Sequence, residues 1–204
     1  MSEVSIREAA RAVREGKIIV FPTDTVYGLG CDPFNTGAVQ RLVAVKKRRG
    51  APLPILVASL DRARQIGNFN AEAERLARAF WPGALTLVVP DTSNLPVEVT
   101  GTNGTVGLRV PGRTDIRNLI VQSGGAIVGT SANISGNPSL TTAKEVEKEL
   151  GAAVDLILDG GRADLGVEST VVAVDADIVQ VLREGAIPSE KVFAIIAASA
   201  GKTG

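Results

Sequence analysis

The chain has 204 residues, 45% of them hydrophobic and 22% charged, enough for one domain with its own core and unlike the composition of disordered chains. Its 22 basic and 22 acidic residues cancel, which argues against wholesale electrostatic binding to nucleic acid and makes any phosphate site a local feature. There is no histidine and only one cysteine, Cys31, so an internal disulfide, Cys/His metal sites and every histidine-based acid–base or triad mechanism are excluded.

Ser5-Ile-Arg-Glu8 is a capping-box pattern, and Ile6, Ala9, Ala10 and Val13 follow at helical spacing, predicting a helix over about residues 5–15 stopped by Gly16. Lys17 to Phe21 is a β-rich run closed by Pro22, a buried strand entering a loop. A helix over Gly37 to Arg48 and a strand at Ile55 to Ala58 come next. The pattern then gives a helix at Ala71 to Phe80 and strands at Ala84 to Val89 and Thr105 to Val110. A helix at Asp115 to Gln122, a strand at Ala126 to Gly129 and a helix opened by the capping box Thr142-Ala-Lys-Glu145 complete the middle. Strands at Asp155 to Leu158, Ser169 to Val174 and Ile178 to Leu182 precede a last helix near Ser189 to Ala198. Asp175-Ala-Asp177 reads as a hairpin turn, which makes the sheet mixed rather than wholly parallel.

Helical and extended periods alternate almost from end to end without a linker or repeat, the pattern of an α/β fold. The expectation is a single twisted mixed-sheet domain over residues 1–204, with its core at about 5–190 and no second C-terminal domain. The longest apolar runs, such as Ala84 to Val89, fall far short of the roughly 20 residues that span a bilayer. The N-terminus has no continuous apolar core like that of a secretory signal, so a cytoplasmic protein without membrane contact is expected.

Four segments carry candidate chemistry. Pro22-Thr-Asp-Thr-Val-Tyr-Gly-Leu-Gly30 places hydroxyls, a carboxylate and a phenol after the first strand, and strand ends are where α/β sheets hold ligands. Taken singly, Thr23 and Asp24 also suit a hydrogen-bonded turn. Lys46-Lys-Arg-Arg49 sits at a helix C-terminus, where cations are favoured by the dipole; alternatively, Lys46 and Arg48 neutralise a triphosphate. Arg109 lies inside the apolar strand Thr105-Val-Gly-Leu-Arg-Val-Pro111, so it requires either a structural ion-pair partner or an anionic ligand. Gly129-Thr-Ser-Ala-Asn-Ile-Ser-Gly-Asn-Pro-Ser139 is rich in donors beside a strand end, suited to phosphate or ribose oxygens. A serine hydrolase is excluded there, because Ser131 does not stand in G-x-S-x-G and no histidine can activate it.

Weaker signals are Gly166-Val-Glu-Ser-Thr-Val-Val172 and Leu182-Arg-Glu-Gly-Ala-Ile187, where Glu168 can pair with Arg183. Gly201-Lys-Thr203 imitates the end of a P-loop, but Ile196 stands where that motif needs its first glycine.

In order along the chain, PTDTVYGLG, the K-x-R cluster, FWPGALTLV, TVGLRVP, TSANISG, GVESTVV and LREGAI resemble the YrdC family of threonylcarbamoyl-AMP synthases over about residues 5–190. The resemblance implies a concave α/β domain with a basic cavity. It also implies formation of threonylcarbamoyl-AMP and pyrophosphate from L-threonine, bicarbonate and ATP, with Mg2+ carried on the ATP phosphates. A partner transferase would pass the threonylcarbamoyl group to tRNA. By position, Thr23 and Ser169 match threonine contacts; Arg48, Thr105, Ser131, Ser139 and Arg183 match nucleotide contacts; Lys46 and Arg109 match cations of the same cavity. Asn133 and Tyr27 belong to the family's motifs. The family often carries an asparagine and then a histidine after K-x-R, whereas this chain reads Gly50-Ala-Pro-Leu-Pro-Ile-Leu-Val57. Two other readings stand beside the enzyme: an RNA-binding module using the same cavity, and a related carbamoyl- or nucleotide-handling enzyme with another acceptor. Only seven aromatic residues and zero net charge weigh against the first.

Overall fold

The computed structural model describes residues 5–47, 50–176 and 178–200. Arg48, Asp177 and the Gly201-Lys-Thr203 tripeptide considered above lie outside the described residues. Helix α1 (Ile6–Arg14) starts on the predicted capping box: the Ser5 hydroxyl accepts from the Glu8 amide at 3.2 Å while the Glu8 carboxylate accepts from the Ser5 amide at 2.8 Å. It buries Ala9, Ala10, Ala12 and Val13. Strand β1 (Ile19–Phe21) is wholly buried and pairs antiparallel with β2 (Gly28–Gly30).

Strand β2 lies where composition suggested only a loop. Glycine is depleted in strands generally, but here it permits backbone approach. A β-carbon on Gly30 would sit 2.1 Å from the Val128 carbonyl oxygen, and one on Gly28 would sit 2.8 Å from the Phe21 ring.

Helix α2 (Thr36–Lys46) is capped by Asn35 and leads to β3 (Ile55–Val57), the short α3 (Leu60–Arg64) and α4 (Ala71–Phe80). Strand β4 (Leu85–Pro90), one turn of helix α5 (Val97–Thr100), β5 (Thr105–Arg109) and α6 (Thr114–Gln122) follow. Next are β6 (Ala126–Val128), β7 (Thr130–Ser131), α7 (Ala143–Leu150) on its predicted capping box, and β8 (Leu156–Ile157). The hairpin β9 (Thr170–Asp175) and β10 (Ile178–Arg183) precedes α8 (Ser189–Ala200). The helices α3 and α5 escaped the sequence pattern because five and four residues are too few to establish a period.

The strands form two sheets, ordered β7-β2-β1-β8 and β10-β9-β4-β5-β3-β6. Both are mixed: β1/β8, β3/β5 and β4/β9 are parallel, the remaining pairs antiparallel. They adjoin where the Val128 amide donates to the Cys31 carbonyl at 2.9 Å. Helices α1 and α6 cover one side through Val13, Ile116, Leu119 and Ile120. Helix α4 packs on β4 and α8 on the other. Each fully buried leucine or isoleucine in these layers contributes about 1.5–3 kcal/mol.

Alternation along the central strands separates two faces of the larger sheet. Leu85, Leu87, Val89, Val106 and Leu108 enter the main core, while Thr86, Val88, Thr105, Gly107 and Arg109 face the other way. Val88 stands opposite Gly107, and Thr86 opposite Val171 of β9, so these residues form one continuous surface. Among the described residues no helix is long and apolar enough to cross a membrane.

Candidate active site

That second face is the floor of a cavity of about 380 Å³, within the range of small-molecule sites. Its walls come from elsewhere. The loop after β1 supplies Thr23, Thr25 and Tyr27; the turn into β7 supplies Gly129, Thr130 and Ser131; the segment entering β9 supplies Glu168 and Ser169. The end of β10 supplies Leu182 and Arg183. In β10 the register slips: Val181 faces Val172, yet Arg183 faces Val171, leaving Leu182 as an extra residue. Such a bulge bends the strand and re-aims side chains, and here both Leu182 and Arg183 reach the cavity.

Arg109 is 5% exposed and lies at the junction of floor and wall. Its guanidinium donates to Asp24 Oδ1 at 2.6 Å, to Thr25 Oγ1 at 2.9 Å and to the Gly83 carbonyl at 2.8 Å. The ion pair and the cavity position foreseen as alternatives are therefore combined in one residue. Burial pulls this guanidinium below its ordinary value and the Asp24 carboxylate opposes the shift; an arginine keeps its charge nonetheless. Thr23 Oγ1 donates to the Val26 carbonyl at 2.7 Å and lies 2.8 Å from Thr25 Oγ1, which fixes the loop around the arginine. Across the floor, the hydroxyls of Thr86 and Ser169 are paired at 2.9 Å, and both residues are buried.

Lys46 was expected either on a solvated helix end or against a phosphate, and its burial removes the first arrangement. It is 1% exposed and stands behind the wall, donating to the Ser131 carbonyl at 2.5 Å, the Asn133 carbonyl at 3.0 Å and Asn133 Oδ1 at 3.0 Å. Asn133 also accepts from Ser131 Oγ at 2.7 Å and donates to the Asn137 carbonyl at 2.6 Å, so it organises the loop from within. Tyr27 lines the cavity, but its hydroxyl is 2.6 Å from the Gly161 carbonyl and 3.2 Å from Asp159 Oδ1. Burial raises this phenol above its ordinary value, so it is a neutral hydrogen-bonding strut.

Ser139 touches the site through Glu168, donating to Oε1 at 2.5 Å, while Arg183 pairs with Oε2 of the same carboxylate. Thr105 is on the floor, and Ser131, Ser169 and Thr23 are on the walls.

Thr25, Thr86 and the supporting carboxylate Asp24 were not singled out as ligand-site residues from sequence. Thr86 interrupts the apolar run Leu85-Thr-Leu-Val-Val89, and its hydroxyl was the available signal. Cys31 is no nucleophile: burial pushes its thiol up to about 12, keeping the protonated form. Among the described residues no three Asp, Glu, Cys or His side chains cluster as metal ligands.

An ion-paired buried cation, a hydroxyl-rich floor and wall, and an apolar lining of Leu56, Val88 and Val171 define an α/β protein with a pocket of small-molecule size and mixed polarity. The Sua5/YciO/YrdC family model, described as "Telomere recombination", matches residues 11–185, and the chain belongs to this family. It is similar to the threonylcarbamoyl-AMP synthase of Pyrococcus abyssi, 40% identical over 198 residues, covering 96% of this chain and 58% of that protein. The protein of the same name from Bacillus subtilis is 39% identical, with 96% and 57% covered. The crystal structure of P. abyssi Sua5 complexed with L-threonine superposes with a TM-score of 0.90 at 41% identity, covering 94% of this chain and 57% of that one. The chain thus spans somewhat over half the length of these relatives.

Proposed function

We propose that the protein is a nucleotidyltransferase that makes L-threonylcarbamoyl-AMP. The amine of L-threonine and bicarbonate condense to a carbamate with loss of water. A carbamate oxygen then attacks the α-phosphorus of ATP, the bond from that phosphorus to the bridging oxygen breaks, and pyrophosphate leaves. This chemistry requires positioning and charge cancellation rather than a covalent nucleophile or histidine base, in keeping with a site that holds a buried arginine.

The observation that carries this reading is Arg109, fixed by three hydrogen bonds at the edge of a floor of paired hydroxyls. On the floor and walls, Thr23 and Ser169 hold the amino acid; Thr105, Ser131 and Arg183 hold the nucleotide, with Ser139 beside them. Arg109 counters developing negative charge, and Arg48 acts with it. Lys46 acts through the 131–133 loop, with Asn133, and Tyr27 fixes the loop after β1. Magnesium enters as part of the MgATP substrate, held mostly by phosphates and water. The product then passes to a tRNA-modifying transferase. The similarity to a protein solved with L-threonine supports the amino-acid assignment.

The test is mass-spectrometric detection of threonylcarbamoyl-AMP from purified protein with ATP, magnesium, bicarbonate and L-threonine, omitting each in turn. Product that requires all of them is the expected result. ATP binding without product under any combination overturns the assignment of acceptor.

A further inference from the structure

Glu168 has no role in the chemistry proposed above, yet it joins two parts of the site. Its Oε1 accepts from Ser139 Oγ at 2.5 Å, and its Oε2 pairs with Arg183. These partners come from different loops, one following β7 and one ending β10. The second nitrogen of the Arg183 guanidinium donates to the Ser169 carbonyl at 2.8 Å, so the arginine is held in two places on the cavity wall. The Glu168 backbone is fixed as well: its carbonyl accepts from the Ala186 amide at 2.9 Å, and a β-carbon on Gly185 would come within 2.3 Å of that oxygen.

Fold stability does not account for this arrangement. The side chains of Arg183 and Glu168 are 47% and 31% exposed, and pairs so open to water contribute little to stability. A flexible arginine gains more from being held where its fork can meet a ligand, since ordering a rotamer-rich side chain in advance removes that loss from binding.

We propose that Glu168 is a positioning residue for the nucleotide: anchored by Ser139, it holds the Arg183 guanidinium so that its remaining N–H groups face one ligand. This rests on the nucleotide reading of the cavity. It also makes a prediction of sign, because a carboxylate beside a triphosphate repels it through space and assists it only through its partners.

The test is ATP affinity by calorimetry, with and without threonine, for the full chain and for Glu168→Ala, Glu168→Gln, Arg183→Ala and the double variant Glu168→Ala/Arg183→Ala. Loss of the preordered guanidinium should weaken ATP binding on the order of tenfold in Glu168→Ala. Glu168→Gln, which keeps an acceptor for Ser139, should recover part of that loss. The double variant should bind no worse than Arg183→Ala, because the two changes remove one interaction. In turnover, KM for ATP should rise while kcat changes little, and the melting temperature should hold.

Unchanged or tighter ATP binding in Glu168→Ala overturns the proposal, and tighter binding would make the carboxylate a competitor for the phosphate site. Additive losses in the double variant overturn it too. Because the affinity measurement needs no turnover, failure of this idea is distinguishable from failure of the synthase reading. Wild-type protein that binds no ATP removes both.

Discussion

Two carboxylate–guanidinium pairs stand on the same cavity and do different work. Asp24–Arg109 is 2.6 Å long with side chains 12% and 6% exposed, whereas Glu168–Arg183 lies on the rim. In the interior, each ion removes the other's desolvation penalty, and neither can be lost alone. On the rim, water screens both, so the pair has little energetic value but fixes a direction. Identical chemistry thus anchors one wall of the site and aims the other.

The strongest way to break this contrast is Asp24→Ala, which leaves a buried guanidinium unpaired and should lower stability by about 3–5 kcal/mol; denaturant titration reads it directly. Replacing both, as Asp24→Leu with Arg109→Met, should recover most of that stability while turnover stays absent, separating the pair's structural part from its chemical one. Lys46→Met removes the ammonium that donates to three oxygens of the 131–133 loop and should lower stability by about 1–3 kcal/mol, with a raised KM for ATP in steady-state kinetics.

The thiol gives a buried reference away from the ion pairs. The unfolded chain releases the Cys31 proton above 9.0, while the folded chain keeps it to about 12. Unfolding therefore releases a proton in this window, and its contribution to stability is complete below 9.0 and lost as pH rises toward 12. Wild type should lose stability more steeply than Cys31→Ala there, by at most about 1.4 kcal/mol per pH unit, as equilibrium unfolding at pH 8.5–10.5 would show. Thr86→Val removes the partner of the Ser169 hydroxyl and should lower stability by about 1 kcal/mol, with KM for threonine rising in the same assays. At the rim, Arg183→Ala should change stability by less than about 1 kcal/mol; a larger loss in denaturant titration would erase the distinction between the two pairs.

The sequence carried most of the frame and several of the residues that line the cavity, for identifiable reasons. Ser5/Glu8 and Thr142/Glu145 announced two helices because capping is local chemistry between residues three apart. Arg109 was legible because a charge inside an apolar strand must have a partner. Which partner was not, since Asp24 is 85 residues away and only the fold unites them. The burial of Lys46 was not legible because a cation at a helix end normally faces water; it depends on the 131–133 loop crossing over the side chain. Strand β2 was invisible because its glycines answer to Phe21 and Val128, which are distant in pattern though close in space.

The slipped register of β10 has a consequence of another kind. Arg183 reaches the cavity because its strand holds one residue more than the neighbour it pairs with. Its aim is therefore a matter of counting along the chain. Were the ladder regular with Leu182 kept, Leu182 would stand opposite Val171 and Arg183 would turn to the other face; deleting Leu182 instead leaves Arg183 opposite Val171. The same letters in a regular ladder would thus show the cavity a leucine where the bulged strand shows it an arginine as well.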